Sequence, residues 1–434
     1  MRISGTTAAA IAASLEKQLH SGLAGADDPL PTVRALAATL RVSPATVAAA
    51  YQLLRARGLV VGRGRRGTRV VSAPGGPAQP AASPPAAGID LATGNPDPSL
   101  LPSIEAALRG LTAPQELYAA APDRALVAFA AGEFEADGIP SRAIAVLGGA
   151  LDAIERVLRE HARAGDRVGV EDPSFPGLLE LISASGLVPV PMAMDAEGPL
   201  PEGFKRALAQ NCRAVIVTPR AQNPTGAAIG ASRGDALRLM LRRHPDAVLI
   251  ENDYLSAVAG VPATTLYSSA QKAWVVIRST SKFLGPDLRV AVMAGDPVTV
   301  ARVQGRQALG ARWVSHILQR LAVTLWSDPA GGRRLARAAD VYASRRAALA
   351  DALSVRGIHV AGRSGFNLWL PTRDEAHLVR ALADRGWAVA PGAPFRIQAP
   401  PAIRITTSTL VPDDAARLAA DVAESLDRRT AALA

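Results

Sequence analysis

Hydrophobic positions follow two periods along this chain. Near the N-terminus they recur at helical spacing. Ile11, Leu15 and Leu19 fall four apart, which predicts one apolar face of a helix over about 6–21. Pro29-Leu30-Pro31 breaks the chain, and Thr32 then caps a short helix carrying Val33, Leu36 and Leu40. Ser43-Pro44 is a helix start, with Ser at the N-cap and Pro at the first helical position. Val47, Tyr51 and Leu54 continue that helix until Gly58. Leu59–Val61 and Thr68–Val71 read as two short strands around a turn that contains Arg63, Arg65 and Arg66. Three helices followed by a basic hairpin predict a winged helix-turn-helix over residues 1–71. Its third helix would enter a major groove N-terminus first.

Residues 72–88 are nearly all Ala, Pro, Gly and Ser, so they cannot build a core and read as a linker. From residue 89 to 434 short apolar runs alternate with helical patterns. Strands are predicted at 143–147, 167–171, 187–191, 213–218, 247–251 and 274–278. Helices are predicted at 150–163, 176–185, 202–209 and 232–243. Such alternation predicts an α/β domain with a mostly parallel sheet and helices on both faces. Ligands then bind beyond the carboxyl ends of the strands.

Composition narrows the class. In 434 residues there is no apolar run of about 20, so no membrane span is expected. The N-terminal stretch reaches Glu16-Lys17-Gln18 without an apolar core, so secretion is not expected. The single cysteine, Cys212, excludes an internal disulfide framework and suits a cytoplasmic protein. The net charge of +10 is uneven. Residues 1–88 hold ten Lys/Arg and three Asp/Glu, which is +7, and the remainder holds 38 against 35, which is +3. Six arginines lie between Arg55 and Arg69 with no acid among them, a pattern suited to phosphate contacts on DNA. The Ser43 hydroxyl and Thr46 stand where bases or phosphates would pass.

The polar chemistry of the large domain gathers at strand ends. Lys282 is one of four lysines and follows the run Trp274–Ile277. A partly desolvated lysine at a strand end is suited to Schiff-base chemistry. Ser279, Ser281 and Arg289 beside it suit a phosphate. Gly148-Gly149-Ala150 opens a helix, where backbone amides receive anions. Phe175, Asn223 and the group Glu251-Asn252-Asp253-Tyr254 close three further strands.

Two resemblances follow. Leu30–Ala37, Val42–Val47 and Tyr51–Gly58 resemble the DNA-binding domain of GntR-family regulators. That resemblance implies DNA contacts at Arg34, Thr46 and the wing. Pro44 departs from it, since the family commonly has arginine there. Residues 89–430 resemble fold-type I pyridoxal-phosphate aminotransferases, which also implies a smaller C-terminal α/β subdomain. The resemblance makes Lys282 the Schiff-base lysine. It assigns Ala150, Leu151, Ser279 and Arg289 to the phosphate, Phe175 to ring stacking, Asn223 and Tyr254 to the phenolic oxygen, and Arg404 to a ligand carboxylate. Where the family has the aspartate that holds the pyridine nitrogen, this chain has Asn252, with Asp253 an alternative one residue on. Arg278 stands where the family has a small glycine. An amide cannot keep the ring cationic, so efficient transamination and a catalytic residue are not expected; no metal is expected either.

The two halves together resemble the MocR subfamily of transcription regulators. Gly94–Pro102 is similar to its PtsJ-type branch, linked to vitamin B6 salvage. The resemblance implies a homodimer, head-to-tail or domain-swapped, bound to a double-stranded operator and to a small-molecule effector, with pyridoxal phosphate as cofactor. The alternative is an active aminotransferase with a DNA-binding appendage.

Overall fold

The computed structural model describes residues 3–20, 28–56, 59–62, 67–70, 88–111, 118 and 121–432. Arg63, Arg65 and Arg66 and nearly all of the expected linker lie outside the described residues.

The N-terminal helices are α1 (Ala8–His20), α2 (Val33–Leu40) and α3 (Pro44–Ala56). They bury Ile11, Leu15, Leu36, Val47, Tyr51 and Leu54, the positions the helical spacing picks out. Thr32 caps α2 by accepting from the Ala35 amide. Arg41 ends that helix in the left-handed conformation, with φ 53°. The wing strands β1 (Val60–Gly62) and β2 (Thr68–Val70) pair antiparallel, with Val60 opposite Val70. The segment before α2 joins this ladder: the Leu30 amide donates to Thr68 O (2.8 Å) and the Val70 amide to Asp28 O (3.0 Å). The Tyr51 hydroxyl donates to Pro31 O at 2.7 Å, fixing α3 against the same segment.

After β3 (Ile89–Leu91) come β4 (Ile144–Leu147), β5 (Arg167–Asp172), β6 (Val188–Asp195), β7 (Gly198–Pro199), β8 (Ala214–Val217), β9 (Val248–Asp253), β10 (Trp274–Ser279) and β11 (Ala291–Gly295). β4 to β11 form one sheet in the order β4-β11-β10-β9-β8-β5-β6-β7. Its centre is parallel, as the alternation predicts: β5 with β8, β8 with β9, and β9 with β10. The centre reads as near-continuous apolar sequence because both faces are covered. Two strands run on furthest past expectation, and the other boundaries fall within two residues. β9 runs on to Asp253, whose carboxylate is paired with Arg220 and Arg278, and the 187–191 strand continues to Asp195. The antiparallel β11 was not expected; it returns directly from the Lys282 loop.

The last strands, β12 (Asn367–Pro371), β13 (Trp387–Pro391) and β14 (Ala402–Thr406), form a second sheet in the order β12-β14-β13-β3. β3 pairs parallel with β13, so the residues that follow the expected linker belong to this smaller sheet. Its own core holds Leu91, Leu368, Trp387 and Ile405.

Candidate functional site

The ends of β5, β8, β9 and β10 bring together the residues that the sequence singles out. Lys282 follows β10 and is half-buried, and its ammonium Nζ donates to Gly94 O at 2.8 Å. Burial, then the Arg404 charge, pushes its pKa down to about 8. Arg404 lies in β14 and is buried. It donates from Nη1 to Asn223 Oδ1 (3.0 Å) and from Nη2 to Ala92 O, and its guanidinium lies 4.9 Å from the centre of the Phe395 ring. Burial pushes its pKa down to about 10. Its Nε is buried with no partner among the described residues. Gly94 must be glycine here, since φ is +69° and an added Cβ would stand 3.1 Å from both Arg404 terminal nitrogens.

Tyr254 closes β9 with its hydroxyl donating to Ala221 O at 2.7 Å, and burial raises its pKa. Asn252 and Asp253 face opposite ways, as neighbours on a strand must. Asp253 is therefore no substitute for Asn252. Its carboxylate receives Arg220 Nε (2.9 Å) and Nη2 (2.8 Å), and Arg278 Nε at 3.1 Å. Burial would raise its pKa, and Arg220 and then Arg278 overcome that and hold it below the ordinary carboxylate value. Asn252 Oδ1, by contrast, is buried with no partner among the described residues. Such an atom costs about 1–3 kcal/mol unless something binds it.

Arg289, expected at an anion, reaches the start of the helix Ala150–His161. Arg289 donates from Nη2 to Gly148 O at 2.9 Å, and Ser279 Oγ donates to Ser281 Oγ at 3.1 Å. Gly149 has φ +121°, and a Cβ there would come within 2.5 Å of Arg289 Nη2, so only glycine lets the guanidinium approach the helix start. The Leu151 side chain lies near Phe175, whose ring packs over Gly177 and stays 39% exposed. A separate cavity of about 400 Å³, lined by Asp172, Arg206, Thr225 and Trp369, contains none of the expected site residues.

Several contributors had no sequence signal. The carbonyls of Ala92 and Gly94 reach Arg404 and Lys282 from about 310 and 190 residues away. Glu171 is buried behind the site, accepting from the Thr218 amide (2.8 Å) and Gln222 Nε2 (3.2 Å), and burial pushes its pKa up to about 7.

In the N-terminal domain Arg34 is exposed on α2. Ser43 Oγ accepts the Thr46 amide at 3.1 Å and lies 2.8 Å from Thr46 Oγ1. One of the two hydroxyl hydrogens is thus used between them, and the other is left over. Arg55, expected among the phosphate contacts, donates from Nη2 to Thr68 Oγ1 at 3.1 Å and so ties the end of α3 to the wing.

Comparison with known proteins agrees with both halves. The bacterial regulatory gntR family profile matches residues 7–70, and the aminotransferase class I and II profile matches 88–422. The vitamin B6 salvage pathway transcriptional repressor PtsJ of Salmonella typhimurium is 39% identical over 98% of this chain and 100% of its own. The chain belongs to the MocR subfamily of GntR-family transcription regulators. This regulator is also 27% identical to the pyridoxine biosynthesis regulator PdxR of Corynebacterium glutamicum, over 78% of this chain and 77% of the relative. In fold it is similar to the α-aminoadipate aminotransferase LysN of Thermus thermophilus, with a TM-score of 0.67 and 23% identity over 80% of this chain and 94% of that one. No helix among the described residues is long and apolar enough to cross a membrane.

Proposed function

We propose that this regulator senses pyridoxal phosphate, and that residues 1–71 form its DNA-binding head, 72–88 its linker and 89–434 its effector domain. The observation that carries this is the linked set of Lys282, Gly94, Arg404 and Asn223, with the Gly149–Arg289 contact at a neighbouring strand end and Asn252 Oδ1 buried without a partner among the described residues at the end of β9. A planar pyridine bearing a phosphate, an aldehyde and a ring oxygen fits this donor set. Likeness to PtsJ and PdxR supports an association with vitamin B6 metabolism.

When bound, pyridoxal phosphate supplies an aldehyde that captures a neutral amine. Lys282 meets that need, because burial holds its pKa at about 8 and leaves a usable neutral fraction near neutral pH. The helix start at Ala150 and Leu151, with Arg289, Ser279 and Ser281, receives the phosphate. Phe175 would supply an aromatic surface for the ring. Asn223 would offer its Nδ2 to the ring oxygen, Tyr254 would join it by turning its hydroxyl from Ala221 O, and Arg404 would attract a carboxylate on an accompanying amino compound. Asn252 offers the ring nitrogen an amide, which carries no charge. The ring is therefore not held cationic and turnover is disfavoured. The intact Lys282, Tyr254 and Arg404 set also favours a second reading, an active aminotransferase with a DNA-binding head. The regulator acts as a homodimer, so that two heads read two half-sites.

Titrating the full-length protein and Lys282→Ala with pyridoxal phosphate tests the proposal. A saturable visible absorbance in the wild type that is lost in the variant supports it. No uptake by the wild type overturns it. Multiple turnovers with common amino donors would favour the aminotransferase reading.

A further inference from the structure

We propose that an ion cluster of buried Arg220, Asp253 and Arg278 with part-exposed Asp137 is the mount that aims the ligand-facing residues, with Arg220 and Arg278 as positioning residues. This rests on the function proposed above.

The cluster joins three strand ends that carry site residues. Arg220 leaves β8 three residues before Asn223. Asp253 stands in β9 between Asn252 and Tyr254. Arg278 lies in β10 directly before Ser279 and four residues before Lys282. Asp253 and Arg278 are also register partners across the two parallel strands. Side chains alternate on a strand, so the cluster lies on the face away from Asn252 and cannot touch a ligand bound there.

The bonding is dense. Arg220 holds Asp253 through two nitrogens, at 2.9 and 2.8 Å, and donates to Val261 O at 3.0 Å. Arg278 donates to Asp253 at 3.1 Å, to Glu133 O at 2.6 Å and to Asp137, and it stacks 4.7 Å above the Phe134 ring. Arg220 also lies 3.6 Å from Asp137. Asp137 follows the helix Arg124–Ala136, so the strand ends are anchored to a helix outside the sheet. Arg278 is 1% exposed and Asp253 1%.

Two guanidiniums balance two carboxylates, which is how such charges are tolerated in a core. Apolar residues of the same volume would often be as stable, so buried ion clusters are weak evidence for stability. What forked arginines add is fixed geometry. Here that geometry binds together the three segments whose relative angle sets the site. It also explains an arginine where aminotransferase-like sequences have glycine.

The test compares wild type, Arg278→Lys and a control, Arg385→Lys, which weakens a pair with Asp421 and Glu424 elsewhere. Lysine keeps the charge and loses the fork. Each full-length protein is titrated with pyridoxal phosphate, the pH midpoint of the bound cofactor's visible absorbance is recorded, and Tm is measured. The mount predicts that Arg278→Lys weakens cofactor affinity tenfold or more and shifts the pH midpoint. Its Tm should fall below the control's, because buried partners lose the fork, so affinity is read well below both Tm values, and the control should bind within twofold of wild type. Unchanged affinity and midpoint in a folded Arg278→Lys overturn the mount alone. So does an equal loss in the control, which would mean general loosening. If Arg278→Lys does not fold, Arg220→Lys is read by the same criteria. A wild type that takes up no cofactor overturns the proposed function and the mount with it.

Discussion

Asn252→Asp should have two effects of opposite sign, and both follow from where that side chain lies. The Asn252 oxygen is buried without a partner, and the arginines that neutralise Asp253 are on the other face of β9. A carboxylate at 252 is therefore a buried charge with nothing to pair it. An uncompensated charge there costs about 3–5 kcal/mol, against about 1–3 kcal/mol for the unpartnered amide oxygen of the wild type. Burial raises its folded-state pKa above the unfolded value of about 3.9, so the folded state binds more protons between those two values. Stability of the variant relative to wild type then falls as pH rises, and the deficit is larger at pH 8.5 than at pH 5.5. With pyridoxal phosphate bound, the same carboxylate meets a ring nitrogen it can keep protonated. A charge-assisted hydrogen bond of about 1.5–3 kcal/mol gives roughly ten- to a hundredfold tighter binding. Urea denaturation at both pH values, with and without pyridoxal phosphate, measures the first effect, and a cofactor titration measures the second. A variant as stable as wild type at both pH values that binds no more tightly would refute the placement of residue 252 against the ring.

The other expectations are narrower. Cofactor uptake should rise about tenfold from pH 6 to pH 7 and level off above about pH 8, because neutral Lys282 gains as pH passes its lowered pKa; a plateau reached only near pH 10 would contradict the burial argument. Gly149→Ala places a Cβ against Arg289 in a left-handed backbone, which should cost about 1–3 kcal/mol and narrow the affinity gap between pyridoxal phosphate and pyridoxal. Arg34→Ala should lower the slope of log affinity against log salt by about 1, as expected for an exposed phosphate contact. Arg55→Ala should weaken operator binding without changing that slope, and Thr68→Val should reproduce it, because Arg55 holds the wing through Thr68.

Much of the fold is written in the periodicity, since central strands buried on both faces read as apolar runs that end in polar clusters. The strand-end rule places Asn223, Tyr254 and Lys282 without coordinates. What it could not do was choose between Asn252 and Asp253. A two-residue period decides that only once one face is fixed, and the partners that fix it, Arg220 and Arg278, lie 33 and 25 residues from Asp253. Arg278 is visible in sequence as an anomaly, but its meaning needs Asp137, 141 residues away. β11 has no place in the alternating pattern because its run Ala291–Gly295 follows the Lys282 loop with no helix between. The bonds from Ala92 and Gly94 use backbone carbonyls, which every residue has, so no residue type announces them.

The central claim is that cofactor occupancy at Lys282 changes how the heads bind DNA. Operator binding measured against rising pyridoxal phosphate, with visible absorbance recorded in the same samples, tests it directly. DNA affinity should change over the same concentration range in which the absorbance saturates, and Lys282→Ala should show neither change. Saturating uptake with constant operator affinity would contradict the claim and leave the cofactor a structural role only.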